Sequence, residues 1–164
     1  MHLPSYEQIS MLPCCYSVTI SMDMLDLMGH LNVRWYMAFY DSAAWSFFRS
    51  IGMTEAYYHE FQMGGFALQH FIRYFSEVRE GEEIRIRLRL LALGRKRIHM
   101  MYFMLNETRR ALASTMEALT TFADLRTRRS AAFPPEKAEA MAALLKYHSA
   151  LDWTAPVSGA EFRV

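Results

Sequence analysis

Residues 23–36 of the chain read Asp-Met-Leu-Asp-Leu-Met-Gly-His-Leu-Asn-Val-Arg-Trp-Tyr, a polar loop that runs directly into an apolar helix. The carboxylate of Asp26 stands three residues before Gly29-His30, and Asn32 then opens the helix. Glycine lets the backbone turn sharply, and the first N–H groups of a helix have no acceptor within it. Such a loop holds the parts needed to attack a carbonyl and to stabilise the oxygen charge that develops.

The helix after the loop is the most apolar part of the chain. The pattern predicts a helix from about Val33 to Ile51, with Asn32 as its N-cap and Gly52 as its stop. Most of its circumference is aromatic or aliphatic, so other elements must wrap it. Its large aromatic residues are Trp35, Tyr36, Phe39, Tyr40, Trp45, Phe47 and Phe48.

The segments around this helix supply the wrapping. They are a strand at 14–22, a short helix at 54–62, strands at 66–76, 83–93, 97–106 and 111–125, and a helix at 136–148. Residues 83–93 alternate strictly at their start, with isoleucine and leucine on one face and Arg85, Arg87 and Arg89 on the other. That second face is expected to be solvated or to meet a polar partner. The pattern predicts an α+β fold, an antiparallel sheet of about five strands on one long helix, plus a C-terminal helix.

The length and composition favour one domain over residues 1–164, with a core at about 14–133 and a C-terminal helix and tail at 134–164. Apolar residues make up 52% and the net charge is +1, so no overall field would recruit nucleic acid or a membrane. No apolar run approaches the roughly 18 residues of a membrane span, and no signal-peptide pattern opens the chain, which together predict a cytoplasmic protein. Cys14 and Cys15 are adjacent, so no disulfide framework is expected and one of them should face inward. No histidine–cysteine spacing suggests a metal site.

The opening stretch resembles the Asp-x-Asp-x-x-Gly-His-x-Asn-Asn-x-x-Tyr pattern of hotdog-fold acyl-CoA thioesterases of the 4-hydroxybenzoyl-CoA thioesterase type. Two positions depart, since Met24 stands where the first Asp is expected and Val33 replaces the second Asn. Weaker similarity continues through 79–82 and 127–134. The matching residues are Asp26, Gly29, His30, Asn32 and Tyr36.

The resemblance implies a hotdog fold and a thioester hydrolase. It implies that Asp26 is the nucleophile or the general base, with His30 and Asn32 beside it. It also implies that the N–H of Val33 polarises the thioester carbonyl. Because that donor is a backbone group, the change from Asn to Val leaves it in place. Coenzyme A would be part of the substrate, and no cofactor is expected.

Each of these residues also has a purely structural interpretation. Asp26 could be a turn residue that binds its own backbone, His30 a hydrogen-bonded core histidine, and Asn32 only a helix cap. Asp23 could replace the missing first Asp. A one-residue slip would turn it to another side, however, so it is expected to be structural.

The candidate substrate-binding residues lie farther along the chain. Besides Gly29 and Tyr36 they include Gln69 and His70, which are neighbours on one strand, so at most one of them can point into a pocket. Basic residues at strand ends could bind the phosphates of coenzyme A or could simply be solvated. The candidates among them are Arg126, Arg128 and Arg129.

Three functions remain open on the sequence. The first is hydrolysis of a small, aromatic or medium-chain acyl-CoA. The second is a non-catalytic hotdog protein that binds acyl-CoA or an acyl carrier, and the third is a hotdog hydratase or dehydratase, whose His-Phe-Pro-Gly signature is absent. The aromatic residues of the helix could line an acyl slot, could receive a quaternary ammonium such as betainyl, or could be core. A homodimer or homotetramer is expected, because open sheet edges are usually paired.

Overall fold

The computed structural model describes residues 3–159 and 162–164 and has one long helix packed into a curled antiparallel sheet. The helices are α1 (Tyr6–Ser10), α2 (Val33–Ser50), α3 (Glu55–Phe61) and α4 (Pro135–Ser149), with a 3-10 helix at Met22–Met24. The strands are β1 (Cys14–Thr19), β2 (Met63–Tyr74), β3 (Glu83–Leu93), β4 (Arg97–Asn106), β5 (Ala111–Asp124) and β6 (Arg129–Ser130). The order in the sheet is β1-β3-β4-β5-β2, with β6 paired to β5, and every pairing is antiparallel.

The main core lies between α2 and the concave face of the sheet. Tyr36, Phe39, Tyr40, Ala43 and Phe47 of α2 are buried there. The alternating aliphatic residues of β3 all belong to the same cluster, as their period of two predicts. The expected fold, an α+β sheet wrapped around the long helix, is confirmed.

The convex face of the sheet is covered by the two ends of the chain. Met101, Phe103 and Leu105 of β4 pack there with Ile9 from α1 and Trp153 from the tail. β4 is therefore buried on both faces, whereas a strand of a sheet with one solvated face would be buried on one face alone.

The arginine face of β3 meets backbone carbonyls of those same chain ends. Arg87 donates to the carbonyl of Leu12 (2.7 Å). Arg89 donates to the carbonyls of Trp153 (2.7 Å) and His148 (3.0 Å), and its guanidinium lies over the Trp153 ring. The polar partners of Arg87 and Arg89 are thus the protein's own backbone, which fastens Trp153 to the sheet, whereas Arg85 pairs with the Glu83 carboxylate.

The two edges of the sheet differ. β1 pairs only with residues Glu83–Arg87 of β3, and beyond that point α4 packs along β3, where the Leu90 N–H donates to His148 Nδ1 (2.9 Å). β2, at the other edge, has no neighbouring strand on its outer side among the described residues. It exposes 45% of Leu68, 40% of Phe71 and 49% of Tyr74, so this edge is both open and apolar.

The differences from the predicted bounds are local. β1 stops at Thr19 rather than at 22, because the chain turns there into the 3-10 helix. β2 begins at Met63, three residues earlier than predicted, and runs through Gly64-Gly65 while paired with β5. α1 was not predicted, although Ser5 and Gln8 form the capping box that marks its start.

Two further expectations concern the cysteines and the membrane. Cys14 is exposed and Cys15 is half-buried, and burial raises the pKa of the Cys15 thiol to about 12, as expected for the inward neighbour of the two. None of the helices in the described residues combines the length and hydropathy that crossing a bilayer requires.

Acidification is expected to destabilise the fold through His148. Burial, and the nearby Arg89 guanidinium, lower the pKa of this imidazole from 6.5 to about 4. Between these values the unfolded chain binds the proton more readily than the folded protein, so the free energy of unfolding falls as pH falls. The loss is about 3 kcal/mol by pH 4, at about 1.4 kcal/mol for each pKa unit. Urea denaturation at a series of pH values measures it.

The matched variant is His148→Gln, which keeps an acceptor for the Leu90 N–H and cannot titrate. Its free energy of unfolding should change less than that of the wild type between pH 6.5 and 4. His59 is exposed, so His59→Gln should keep the wild-type pH dependence. An unchanged pH dependence in His148→Gln would contradict the assignment.

Candidate active site

The loop between β1 and α2 is closed by its own backbone hydrogen bonds. The N–H of Asp26 donates to the carbonyl of His30 (2.9 Å), and the N–H of Gly29 donates to the carbonyl of Asp26 (3.1 Å). Gly29 has a φ of 79°, a conformation that favours glycine. The turn therefore presents the side chains of Asp26 and His30 next to each other.

The two carboxylate oxygens of Asp26 have different neighbours. Oδ1 accepts a hydrogen bond from the N–H of Met28 (2.8 Å), and Oδ2 lies 3.3 Å from Nδ1 of His30. The Asp26 side chain is 17% exposed. One oxygen therefore shapes the turn, as the structural interpretation expected, while the other faces a histidine and the cavity beside it.

The start of α2 stands next to this loop. The side chain of Asn32 accepts the N–H of Arg34 (3.1 Å), so Asn32 is the helix cap that the sequence predicted. The N–H of Asn32 donates to the carbonyl of Met24 (3.0 Å), which ties the helix start to the loop. The N–H of Val33, the first helical residue, has no acceptor among the described residues. That free donor lies at the positive end of the helix dipole.

A cavity of about 490 Å³, here called the loop cavity, brings these groups together. The predicted residues Asp26, His30, Asn32, Val33 and Tyr36 all line it, and Gly29 shapes the loop without lining it. The rest of its wall is Met28, Leu31, Tyr74, Phe75, Ser76 and Glu77.

Sequence reasoning missed the part of the wall that comes from the end of β2. The ring of Tyr74 meets that of Tyr36 edge-on, with centroids 4.9 Å apart. Burial, followed by Tyr74 and the carboxylates of Asp26 and Glu77, raises the pKa of Tyr36 to about 12. Tyr36 therefore keeps its proton at neutral pH and offers a hydrogen-bond donor inside the cavity.

A second cavity of about 330 Å³, here called the helix cavity, lies farther along α2. It contains His70 but not Gln69, in keeping with their opposite directions on β2. His70 is therefore not beside Asp26 in the same chain. The wall consists of Met37, Tyr40, Asp41, Ala44, Trp45, Phe48, Tyr58, Met63, Gly64, Gly65, Ala67, His70, Tyr102, Met116, Ala118, Thr120 and Leu125.

The three candidate arginines stand at the opposite end of β2 from the loop cavity. Arg126 and Arg128 are exposed on the turn between β5 and β6, and Arg129 is exposed at the start of β6. That turn follows Asp124, which pairs with Met63, whereas Tyr74 at the far end of β2 lines the loop cavity. The two ends are about 36 Å apart at 3.3 Å per residue. Within one chain these arginines and Asp26 are not brought together.

Among residues 3–159 and 162–164, no three histidine, cysteine, aspartate or glutamate side chains are close enough to hold a metal ion.

A model of the thioesterase-like superfamily matches residues 20–143, more than half of the chain, including the loop, α2 and most of the sheet. The chain belongs to the thioesterase-like superfamily. The predicted family and the predicted class of enzyme, a thioester hydrolase, are confirmed.

Individual proteins resemble the chain over most of its length. A betainyl-CoA thioesterase of Pseudomonas aeruginosa is 28% identical over 137 residues, which are 83% of this chain and 86% of that protein. A Staphylococcus aureus protein solved in complex with CoA superposes with a TM-score of 0.83 at 22% identity, covering 93% of this chain and 96% of that one. The 1,4-dihydroxy-2-naphthoyl-CoA thioesterase of Synechocystis has a TM-score of 0.70 at 15% identity, covering 79% and 95%. These likenesses confirm the hotdog fold.

Proposed function

We propose that this member of the thioesterase-like superfamily hydrolyses acyl-CoA thioesters in the loop cavity. The observation that carries the proposal is that the Asp26 carboxylate and the free N–H of Val33 line the same cavity. Hydrolysis needs a nucleophile or base and a donor for the developing oxyanion, and these two groups have those chemistries. The P. aeruginosa relative, named for a CoA thioester, supports the choice of coenzyme A as the thiol part.

Asp26 would act through the oxygen that the loop leaves available. As nucleophile, Oδ2 attacks the carbonyl carbon, the C–S bond breaks, and water then hydrolyses the mixed anhydride. As general base, Asp26 takes a proton from a water that attacks the same carbon. In the general-base route the C–S bond then breaks and the protonated Asp26 gives its proton to the departing thiolate; in the nucleophilic route the water that hydrolyses the anhydride supplies that proton. His30, 3.3 Å from Oδ2, orients the carboxylate.

The carbonyl would be held at the start of α2. The Val33 N–H donates to the carbonyl oxygen, and the helix dipole favours the negative charge that the oxygen gains. The hydroxyl of Tyr36 provides a further donor in the same cavity, since its raised pKa keeps it protonated. Asn32 contributes by fixing the first turn, because its side-chain oxygen is occupied by the Arg34 N–H. No separate cofactor enters either route.

The active form would be a homodimer joined through β2. α4 packs along the part of β3 that β1 leaves unpaired, whereas β2 is a long edge strand that is open and exposes large apolar side chains. Unpaired strand edges favour association with another copy. The convex face is covered by α1 and the tail, so a tetramer built by stacking sheets on that face is disfavoured.

Two-fold pairing of β2 with its copy would join the separated parts of the site. Antiparallel pairing sets the Met63 end of one strand beside the Tyr74 end of the other. The turn with Arg126, Arg128 and Arg129 then approaches the loop cavity of the other subunit. Guanidinium groups there would bind the phosphates of coenzyme A. The acyl group is expected to be small, aromatic or of medium length, and the cytoplasmic location stays a prediction.

Replacing Asp26 with Asn is expected to lower kcat by about 10²–10⁴-fold, the usual effect of losing a general base. The Asn side chain can still accept the Met28 N–H, so the loop and acyl-CoA binding should survive. Asp23 does not line the loop cavity, and Asp23→Asn is therefore the matched control, with near wild-type turnover. Thiol release from a panel of acyl-CoAs measures both. Full activity in Asp26→Asn would favour a non-catalytic binding protein.

Replacing Val33 with Pro is expected to remove the oxyanion donor while keeping the helix. Proline is tolerated at the first helical position, where its missing N–H breaks no helical bond. Asn32, with ψ of 137°, already has the extended conformation that precedes proline. Turnover should fall roughly 10²–10³-fold, with the melting temperature nearly unchanged. Val33→Ala keeps the N–H and should retain activity, and equal rates in the two variants would refute the donor role.

Mixing two inactive variants tests whether the site is shared between subunits. One variant carries Asp26→Asn, and the other has Arg126, Arg128 and Arg129 replaced by alanine. Each mixed dimer would hold one site with both changes and one site with neither. Refolding them together in equal amounts should restore about one quarter of wild-type activity. If the arginines served their own chain's site, every site would be damaged and no activity would return.

A further inference from the structure

Asp41 projects an unneutralised carboxylate into the helix cavity. It lies on α2, two turns after Val33, and it lines this cavity together with apolar and aromatic side chains. Within the described residues the carboxylate makes no ion pair and no hydrogen bond, and the cavity wall contains no lysine or arginine. Asp41 is exposed on this wall, and a ligand that fills the cavity would cover part of its carboxylate. A ligand of positive charge would complement it.

The other titratable groups of the cavity do not cancel this charge. Partial burial lowers the pKa of His70 below its ordinary value, although Asp41 acts in the opposite direction, so the imidazole is neutral at pH 7. Burial raises the pKa values of Tyr40, Tyr58 and Tyr102, so these side chains are neutral as well. Asp41 therefore leaves the described wall of the cavity with one negative charge.

The remaining wall favours a cation without N–H donors. Trp45 and Tyr58 meet edge-on with centroids 5.6 Å apart, and both line the cavity; the Arg49 guanidinium lies over the Trp45 ring, 5.8 Å from its centroid, so this ring already receives a cation. Ring faces attract quaternary ammonium groups, which need no hydrogen-bond acceptor. The buried hydroxyls are already engaged, since Tyr40 donates to Ser114 Oγ (2.9 Å) and Tyr102 donates to the sulfur of Met100 (3.6 Å).

We propose that the helix cavity receives an acyl group that ends in a trialkylammonium, and that Asp41 is the specificity-determining residue. The inference rests on the proposed function, because the thioester carbonyl is taken to lie at the Val33 N–H. Val33, Met37 and Asp41 are spaced four apart and share one face of α2. Asp41 is about 12 Å along the axis from Val33, and helical side chains tilt toward the helix start. Several methylenes would therefore separate the carbonyl from the charge, with Met37 as an adaptable floor.

The test compares two substrates that differ only in charge. They are 4-(trimethylammonio)butanoyl-CoA and its neutral isostere 5,5-dimethylhexanoyl-CoA, in which carbon replaces nitrogen. The wild type should show a higher kcat/KM for the cationic substrate. Asp41→Asn should lower the ratio of the two kcat/KM values by roughly 2- to 5-fold, as expected for loss of a charge pair that water partly screens.

Two further variants make the comparison specific. Asp41→Glu keeps the charge and should retain most of the preference. Asp152 is exposed and outside both cavities, so Asp152→Asn should keep the wild-type ratio. A wild type that prefers the neutral isostere or treats both alike would overturn the inference, as would a ratio unchanged by Asp41→Asn.

Binding separates this inference from the proposed reaction. Dethia analogues of the same two compounds, in which a methylene replaces the thioester sulfur, cannot be hydrolysed, and calorimetry gives their Kd values. Tighter binding of the cationic analogue, lost in Asp41→Asn, supports the inference even if no thioester is hydrolysed. Turnover that depends on Asp26, without any charge preference in rate or binding, would keep the proposed reaction and reject the role of Asp41.

Discussion

The aromatic face of α2 is the constraint on which the rest of the structure depends. Its buried rings are too large and too apolar to face water, and one flat sheet cannot surround them. The sheet must therefore curl, and the strands must keep the register that turns their aliphatic residues inward. Once the helix is enclosed, its two exposed features are its first turn and one side along β2. Both cavities lie there.

The start of α2 also explains why the catalytic candidates lie where they do. The loop before the helix closes on itself, and the Asn32 N–H binds the Met24 carbonyl, so the loop and the helix start form one unit. A carboxylate in that loop and an N–H in the first helical turn are then held at fixed positions by short-range contacts. This local construction lets a sequence motif encode a site without reference to distant residues.

Whether a feature depends on neighbours in the chain or on distant residues decides whether it could be predicted from the sequence. The fold, the cap at Asn32 and the grouping of Asp26, His30 and Val33 depend on periodicity and on neighbours in the chain, and these were predicted. Tyr74 and Glu77 reach the loop cavity only because β2 runs beside α2, a long-range pairing that no local pattern contains. The alternation of arginines along β3 was visible in the sequence. The carbonyls that Arg87 and Arg89 bind come from the two ends of the chain and were not. No sequence pattern singles out Asp41, and only the cavity that it lines gives it a chemical context.

The contact between α4 and β3 has a consequence for how copies of this chain can assemble. An uncovered strand edge is a template for pairing with another copy. His148 helps to hold α4 over the stretch of β3 that β1 leaves unpaired, through the Leu90 N–H. Its imidazole binds that N–H only when unprotonated. One buried side chain thus helps to keep this stretch of strand edge from pairing with another copy, and the protection is weakest in acid.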